Sequence, residues 1–303
     1  MAHEHHGHAD LGALHVRGSG VRGRLVIALL LAAATALLEI GGGLLTDSLA
    51  LLADAGHVLG DVGALTLALG TTWVASRPHS PRWTFGYHRA EVLAATVNGL
   101  ALLAIAAVIA WQAVLRLWTP VEIDSAGLTA VASVGLLANV AAALILRGSQ
   151  SLNVRAARLH VLSDLGGSVV AVIAGVLTAT TGGTRIDPAL SLVIVLLVVF
   201  AALRLLRETV AILMARVPLG IDLAEIDAGL RGLPGVVAVH DMHCWTITSG
   251  FIAFACHLQL APGADFATAV GEAGALLRDR YGIEHATVQP EATQLHELDD
   301  VGA

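Results

Sequence analysis

The stretch SLALLADAGHVLGDVGAL, residues 48–65, decides the fold class. It is apolar enough to lie in hydrocarbon, yet it carries Asp54, His57 and Asp61. An aspartate at the centre of a membrane helix costs about 2.5–3.5 kcal/mol even on the mildest insertion scale. A segment that keeps two of them needs a compensating role. His57 and Asp61 stand four apart, so on a helix they stack one turn apart on one face. A second stretch, LHVLSDLGGSVV (159–170), repeats the spacing with His160 and Asp164. If the two stripes face each other, two imidazoles and two carboxylates surround one point, a donor set that suits tetrahedral zinc. The plainer alternative is polar glue between helices. Asp54 lies one turn before His57 and is read as standing behind the ligands or on the path to them. Asn98 and Asn139 are read as interhelical hydrogen bonders.

Outward from these stretches the chain is apolar for most of its length. Hydrophobic residues make up 56%, charged residues 14%, and mean hydropathy is +0.75. Soluble domains carry roughly 25% charged residues. Six apolar runs are predicted as spans, at about 24–45, 49–74, 90–117, 125–147, 153–180 and 187–213, each near the roughly 20 residues a bilayer requires. A polar tail precedes them, residues 1–21, with His3, His5, His6, His8 and His15. It reads as a weak zinc collector or as a tolerated polar tail, and it lacks the form of a cleavable signal peptide. Arg17, Arg22, Arg24, Arg77, Arg82, Arg89, Arg147, Arg155, Arg158, Arg204, Arg207 and Arg216 flank one side of the spans; Arg116 and Arg185 flank the other. The positive-inside rule then places both termini in the cytoplasm of a multi-pass cell-membrane protein. A formal net charge of −7 argues against a nucleic-acid partner.

After Met214 charged residues become regular. Residues 215–292 read as an α+β domain in the order helix, strand, strand, helix, strand, with one sheet face covered by helices, and 293–303 as an acidic tail. A hairpin turning at Thr248-Ser249 sets His240 opposite His257, with Cβ atoms about 4.5–5.5 Å apart. A turn at Ser249-Gly250 would instead make the pair diagonal. His243 has odd parity against His240 and is expected on the other face. His285 and Glu291 are six residues apart, roughly 20 Å in a strand, so His285 is assigned to a separate site near a dimer interface. Cys244 and Cys256 form no disulfide framework and no CxxC module, and read as small strand residues. His79 and His88 read as loop histidines.

Together the stretch at 48–65, FGYHRAEVLAATVNG (85–99), LHVLSDLGGSVV (159–170) and VHDMHCWTITSGF (239–251) resemble the cation diffusion facilitator family, over residues 20–292 and nearest its zinc-transporting branch. The resemblance implies a homodimer in the lipid membrane, a secondary active transporter and no enzyme. It implies metal exchanged for protons by alternating access and a metallochaperone-like cytoplasmic domain. Carried over residue by residue, it makes His57, Asp61, His160 and Asp164 the transport ligands. It makes His240, His257 and Glu291 one cytoplasmic site, with Zn²⁺ as substrate and regulatory ligand. The loop at 147–158 departs from many relatives in having no histidine-rich run. Rival expectations are an exporter of Zn, Cd and Co together, a membrane sensor that binds without transporting, and a membrane metalloprotease. The last would need HExxH or an open coordination position, and no HExxH occurs.

Overall fold

The computed structural model describes residues 11–75, 82–147, 152–248 and 250–292, with side chains for 26–63, 82–147, 158, 161–162, 164–248 and 250–292. Six long helices come first: α1 (Leu11–Thr46), α2 (Leu49–Ala75), α3 (Ala90–Trp118), α4 (Ser125–Ile145), α5 (Leu152–Thr181) and α6 (Ile186–Leu213). Their ends fall within two residues of the expected runs, except that α1 begins at Leu11, inside the stretch read as a tail. No proline stands between Leu11 and Thr46 to stop the helix. Pro188 lies in the first turn of α6, where its missing N–H is not needed. Asp124 caps α4 by accepting from the Gly127 N–H at 3.0 Å.

The chain forms two compact units, residues 1–67 with 97–205, and 68–96 with 206–303. In the first, the helices pack through small and branched residues such as Ala53, Ala106, Ala132, Ala171, Ala174 and Ile194. Small side chains let helix backbones approach closely where no water drives association. Outward faces carry Leu37, Leu45, Trp111, Leu137, Leu196 and Phe200, all between 65% and 86% exposed. Water would not tolerate so continuous an apolar surface, whereas hydrocarbon solvates it. Among the described residues five helices are long and apolar enough to cross a membrane. The sixth, α2, is 27 residues long and carries the charged stripe.

The start of α2 is held by a distant residue. Asp187, fully buried at the start of α6, accepts from Ser48 Oγ at 2.6 Å, from the Leu49 N–H at 2.9 Å and from the Ala50 N–H at 3.2 Å. Helix N-termini leave amides without intrahelical partners, and here a carboxylate more than 130 residues away satisfies them.

The second unit contains α7 (Leu223–Arg231), β1 (Val236–Thr248), β2 (Phe251–Leu260), α8 (Phe266–Tyr281) and β3 (His285–Glu291), in the expected order. The sheet runs β1-β2-β3, with β1 antiparallel and β3 parallel to β2. Ile226, Leu230, Phe254, Cys256, Leu258 and Leu277 belong to the core between the helices and one sheet face. Asp222 and Asp265 cap α7 and α8, and Gly282 ends α8 at φ +67°.

The hairpin register corrects one expectation and explains another. Thr248 pairs with Phe251, the arrangement expected to leave the histidines diagonal, yet His240 pairs directly with His257. Register shifts between Thr246 and Thr248 and between His240 and His243 each absorb one extra β1 residue. The second shift also restores His243 to the face of His240. In agreement, Val239 and Cys244, five apart, both enter the helix-covered core. Asp241 sits in this bulge at φ +50°.

Candidate metal centre

On α2, Asp54, His57 and Asp61 follow i, i+3, i+7 spacing and share a face. On α5, Asp164 and Ser168 stand four apart and also share a face. Ser168 Oγ donates to Asp54 Oδ2 at 2.9 Å, and His57 Nε2 lies 3.4 Å from Asp164 Oδ1. Numbers rise on one helix as they fall on the other, so α2 and α5 meet antiparallel as rungs of a ladder. His57 Nε2 is also 3.9 Å from Asp61 Oδ2. Side-chain atoms of His57, Asp61 and Asp164 lie within 4.8 Å of one another, close enough to hold one metal ion. Asp164 is nearly buried, with its side chain 4% exposed, while His57 and Asp61 keep 18% and 16%. The fourth expected ligand, His160, lies in α5 one turn from Asp164, and its side chain is outside the described residues. His79 and the tail histidines 3, 5, 6 and 8 are outside them altogether, and His15 lies in α1 with its side chain outside them.

The expected helix glue is present beside the site. Asn98 Nδ2 donates to the Gly60 carbonyl at 3.0 Å, tying α3 to α2. Asn139 Nδ2 donates to Ser168 Oγ at 3.0 Å, tying α4 to α5 and, through Ser168, to Asp54. Sequence reasoning missed Glu39, which is fully buried in α1 near Asp54. Its lone carboxylate in an apolar run was the available signal.

In the second unit the sheet face away from the helices gathers His240, His257 and Glu291 within 4.8 Å. Glu291 Oε2 lies 3.1 Å from His240 Nε2 and Oε1 lies 2.8 Å from His257 Nδ1. Gln289 Nε2 donates to Glu291 Oε1 at 2.9 Å, holding the carboxylate in place. Asp241, aimed by the bulge, reaches His243 Nε2 at 2.8 Å and His257 Nε2 at 3.6 Å. His285 stands at the far end of β3, its ring edge-on to Phe85 and Phe251 at 5.6 Å each. Among the described residues no group of three metal-ligating side chains forms around it. Burial pushes the Cys256 thiol up to about 12 and raises that of Cys244. Both therefore stay protonated and are poor thiolate ligands.

A family model for the cation efflux transmembrane domain matches residues 25–214, and one for the cytoplasmic domain of cation efflux proteins matches 218–293. The chain belongs to the cation efflux family. The zinc transporter ZitB of Escherichia coli K12 is 40% identical over 300 residues, covering 98% of this chain and 94% of its own length. The metal cation efflux system protein CzcD of Cupriavidus metallidurans is 37% identical over 291 residues, 95% and 92% of the two chains. A cadmium, cobalt and zinc/H⁺-K⁺ antiporter of Bacillus subtilis is 35% identical over 286 residues, 91% and 90%. The solved metal-bound C-terminal domain of CzcD is 32% identical, covering 23% of this chain and 99% of that domain, with a TM-score of 0.23. This cation efflux protein is thus a multi-pass membrane protein with a cytoplasmic α+β domain, and its relatives are transporters rather than enzymes.

Proposed function

We propose that the protein exports Zn²⁺ from the cytoplasm by alternating access, exchanging it for protons at a site between α2 and α5. The observation that carries this reading is the convergence of His57, Asp61 and Asp164 from two helices inside an otherwise apolar bundle. His160, one turn from Asp164, completes a two-imidazole, two-carboxylate set. Neutral imidazole nitrogen and carboxylate oxygen fit zinc, and four protein ligands leave no position for a hydrolytic water. Imidazoles bind metal only when deprotonated, so metal and proton compete for the same nitrogen atoms. A histidine that loads zinc on one side and a proton on the other couples the two flows.

The domains divide accordingly: a tail over 1–21, a transport bundle over 22–214, a cytoplasmic unit over 215–292 and an acidic tail beyond. That unit binds zinc as a regulatory ligand through His240, His257 and Glu291, and pairs two copies into a homodimer in the cell membrane. Two imidazoles beside a carboxylate steadied by Gln289 are a fitting donor set for zinc. Names of relatives that include cadmium and cobalt support a broader ion range as the second reading. The test is purified protein in sealed liposomes with a zinc dye inside and an imposed pH gradient. Zinc entry that follows a lumen-acid gradient and stops when an ionophore collapses it is the expected result. Binding without flux would make the protein a sensor.

A further inference from the structure

Glu39 and Asp54 form a second buried group that zinc export, as described, does not use. Both are fully buried, on α1 and α2 respectively. Asp54 Oδ2 accepts from Ser168, but no hydrogen-bond partner among the described residues reaches Asp54 Oδ1 or either Glu39 oxygen. The two carboxyl groups nonetheless lie within hydrogen-bonding reach of each other. Among the described residues, two acceptors therefore face one another with no donor between them. The groups acting on them electrostatically are His57 and Asp164; described α1 carries no other charged side chain, and α4 contributes only neutral residues, Asn139 among them. A buried carboxylate pair in hydrocarbon must hold a positive charge of some kind.

Space decides which one. A Cβ on Gly135 would run into Glu39 Oε1, and a Cβ on Gly167 into Asp54 Oδ1. Glycine is needed at both positions merely to admit the carboxylates. A calcium or magnesium ion would need six or more oxygens and zinc four ligands, more than the three unpartnered oxygens of the pair offer, whereas a proton needs no room and supplies the missing donor.

We propose that Glu39 and Asp54 are a proton-carrying pair for the exchange, one helical turn along α2 from the metal ligands, and this rests on the zinc/proton reading above. An O–H bond forms on one carboxyl oxygen and is shared with the other, taking the pair from two negative charges to one. When His57 and Asp164 release zinc to the outside, a proton from that solution binds the pair; when they load zinc from the cytoplasm, the proton leaves the pair into the cytoplasm. Ser168 joins the two sites, because it donates to Asp54 and stands one turn from Asp164.

The test uses full-length wild type, Glu39→Gln and Asp54→Asn in liposomes and, for zinc binding, in detergent. Glutamine keeps the size of the side chain and carries a permanent donor in place of the proton. The expected result is unchanged zinc affinity in Glu39→Gln, zinc moving down its own gradient, and loss of the acceleration by a pH gradient. Infrared spectra of the zinc-free wild type should show a protonated-carboxyl band that both variants lose or shift. Four results overturn the proposal: pH-gradient acceleration in Glu39→Gln equal to wild type; loss of zinc binding in that variant; drive by a potassium gradient that Glu39→Gln abolishes; or no such band in the wild type, which is decisive even if a variant fails to fold. Failure of the export reading looks different: the wild type then binds zinc without moving it, while the infrared band still reports the pair.

Discussion

At the scale of single residues, Asp164 is the most informative of the proposed ligand positions. It is nearly buried, and it is the α5 atom that meets His57. Asp164→Ala removes one ligand without replacing it, and zinc flux in liposomes should be abolished. Flux at the wild-type rate would show that the ion passes elsewhere. His57→Asp instead turns the set into three carboxylates and one imidazole. Hard manganese, which the wild type should refuse, prefers oxygen donors, so this variant should begin to admit it. A carboxylate in place of the rigid imidazole also holds the tetrahedral geometry less strictly, so the larger cadmium ion should be carried more readily. The measurement is flux of Zn²⁺, Cd²⁺ and Mn²⁺ through both proteins in matched liposomes. Cys256 gives a prediction in the other unit. Its thiol is raised to about 12, so the native state holds a proton that the unfolded chain releases near pH 9. Stability from this group is complete below about pH 9 and is lost as pH climbs toward 12, by up to about 4 kcal/mol. Thermal melts of the cytoplasmic unit should fall over that window, and Cys256→Ser should flatten the fall.

At the scale of elements, the six long helices and the five smaller elements were legible because apolar runs, aspartate caps and glycine stops are local signals. The pairing of α2 with α5 was legible as well, since two copies of one polar spacing in hydrocarbon need each other. What escaped was long-range. Glu39 drew no reading because its neighbour Asp54 lies on another helix. His243 was put on the wrong face because a bulge depends on how β1 meets β2, and no residue in VHDMHCW announces one. Asp187 gave no sign of capping a helix that starts at residue 49. That cap carries its own prediction. Asp187→Ala leaves Ser48 Oγ and two amides without their acceptor, at about 1–3 kcal/mol for each buried group. The variant should lose thermal stability by several degrees and bind zinc more weakly, because the turn before Asp54 frays. Asp187→Asn, which keeps one acceptor oxygen, should fall between the two. Equal stability in all three would show that the cap is idle.

At the scale of the whole molecule, the cytoplasmic unit is small, and a domain of about 75 residues buries little surface on its own. The proposed pairing with a second copy would add to that burial. A chain ending near residue 214 should therefore dimerise more weakly in detergent and transport zinc more slowly, as read by light scattering and liposome flux. A monomeric full-length protein with full activity would refute the dimer. The buried acceptor at Asp187 also has a consequence in time. Ribosomes add roughly 5–20 residues per second, so on the order of ten to thirty seconds separate the emergence of α2 from that of its cap. Through that interval the first amides of α2 have no protein acceptor, and an unsatisfied polar group in hydrocarbon costs several kcal/mol. The nascent helix must wait with its start in the wet headgroup layer or in the insertion machinery, and the bundle closes around the proposed metal ligands only once residue 187 has been made.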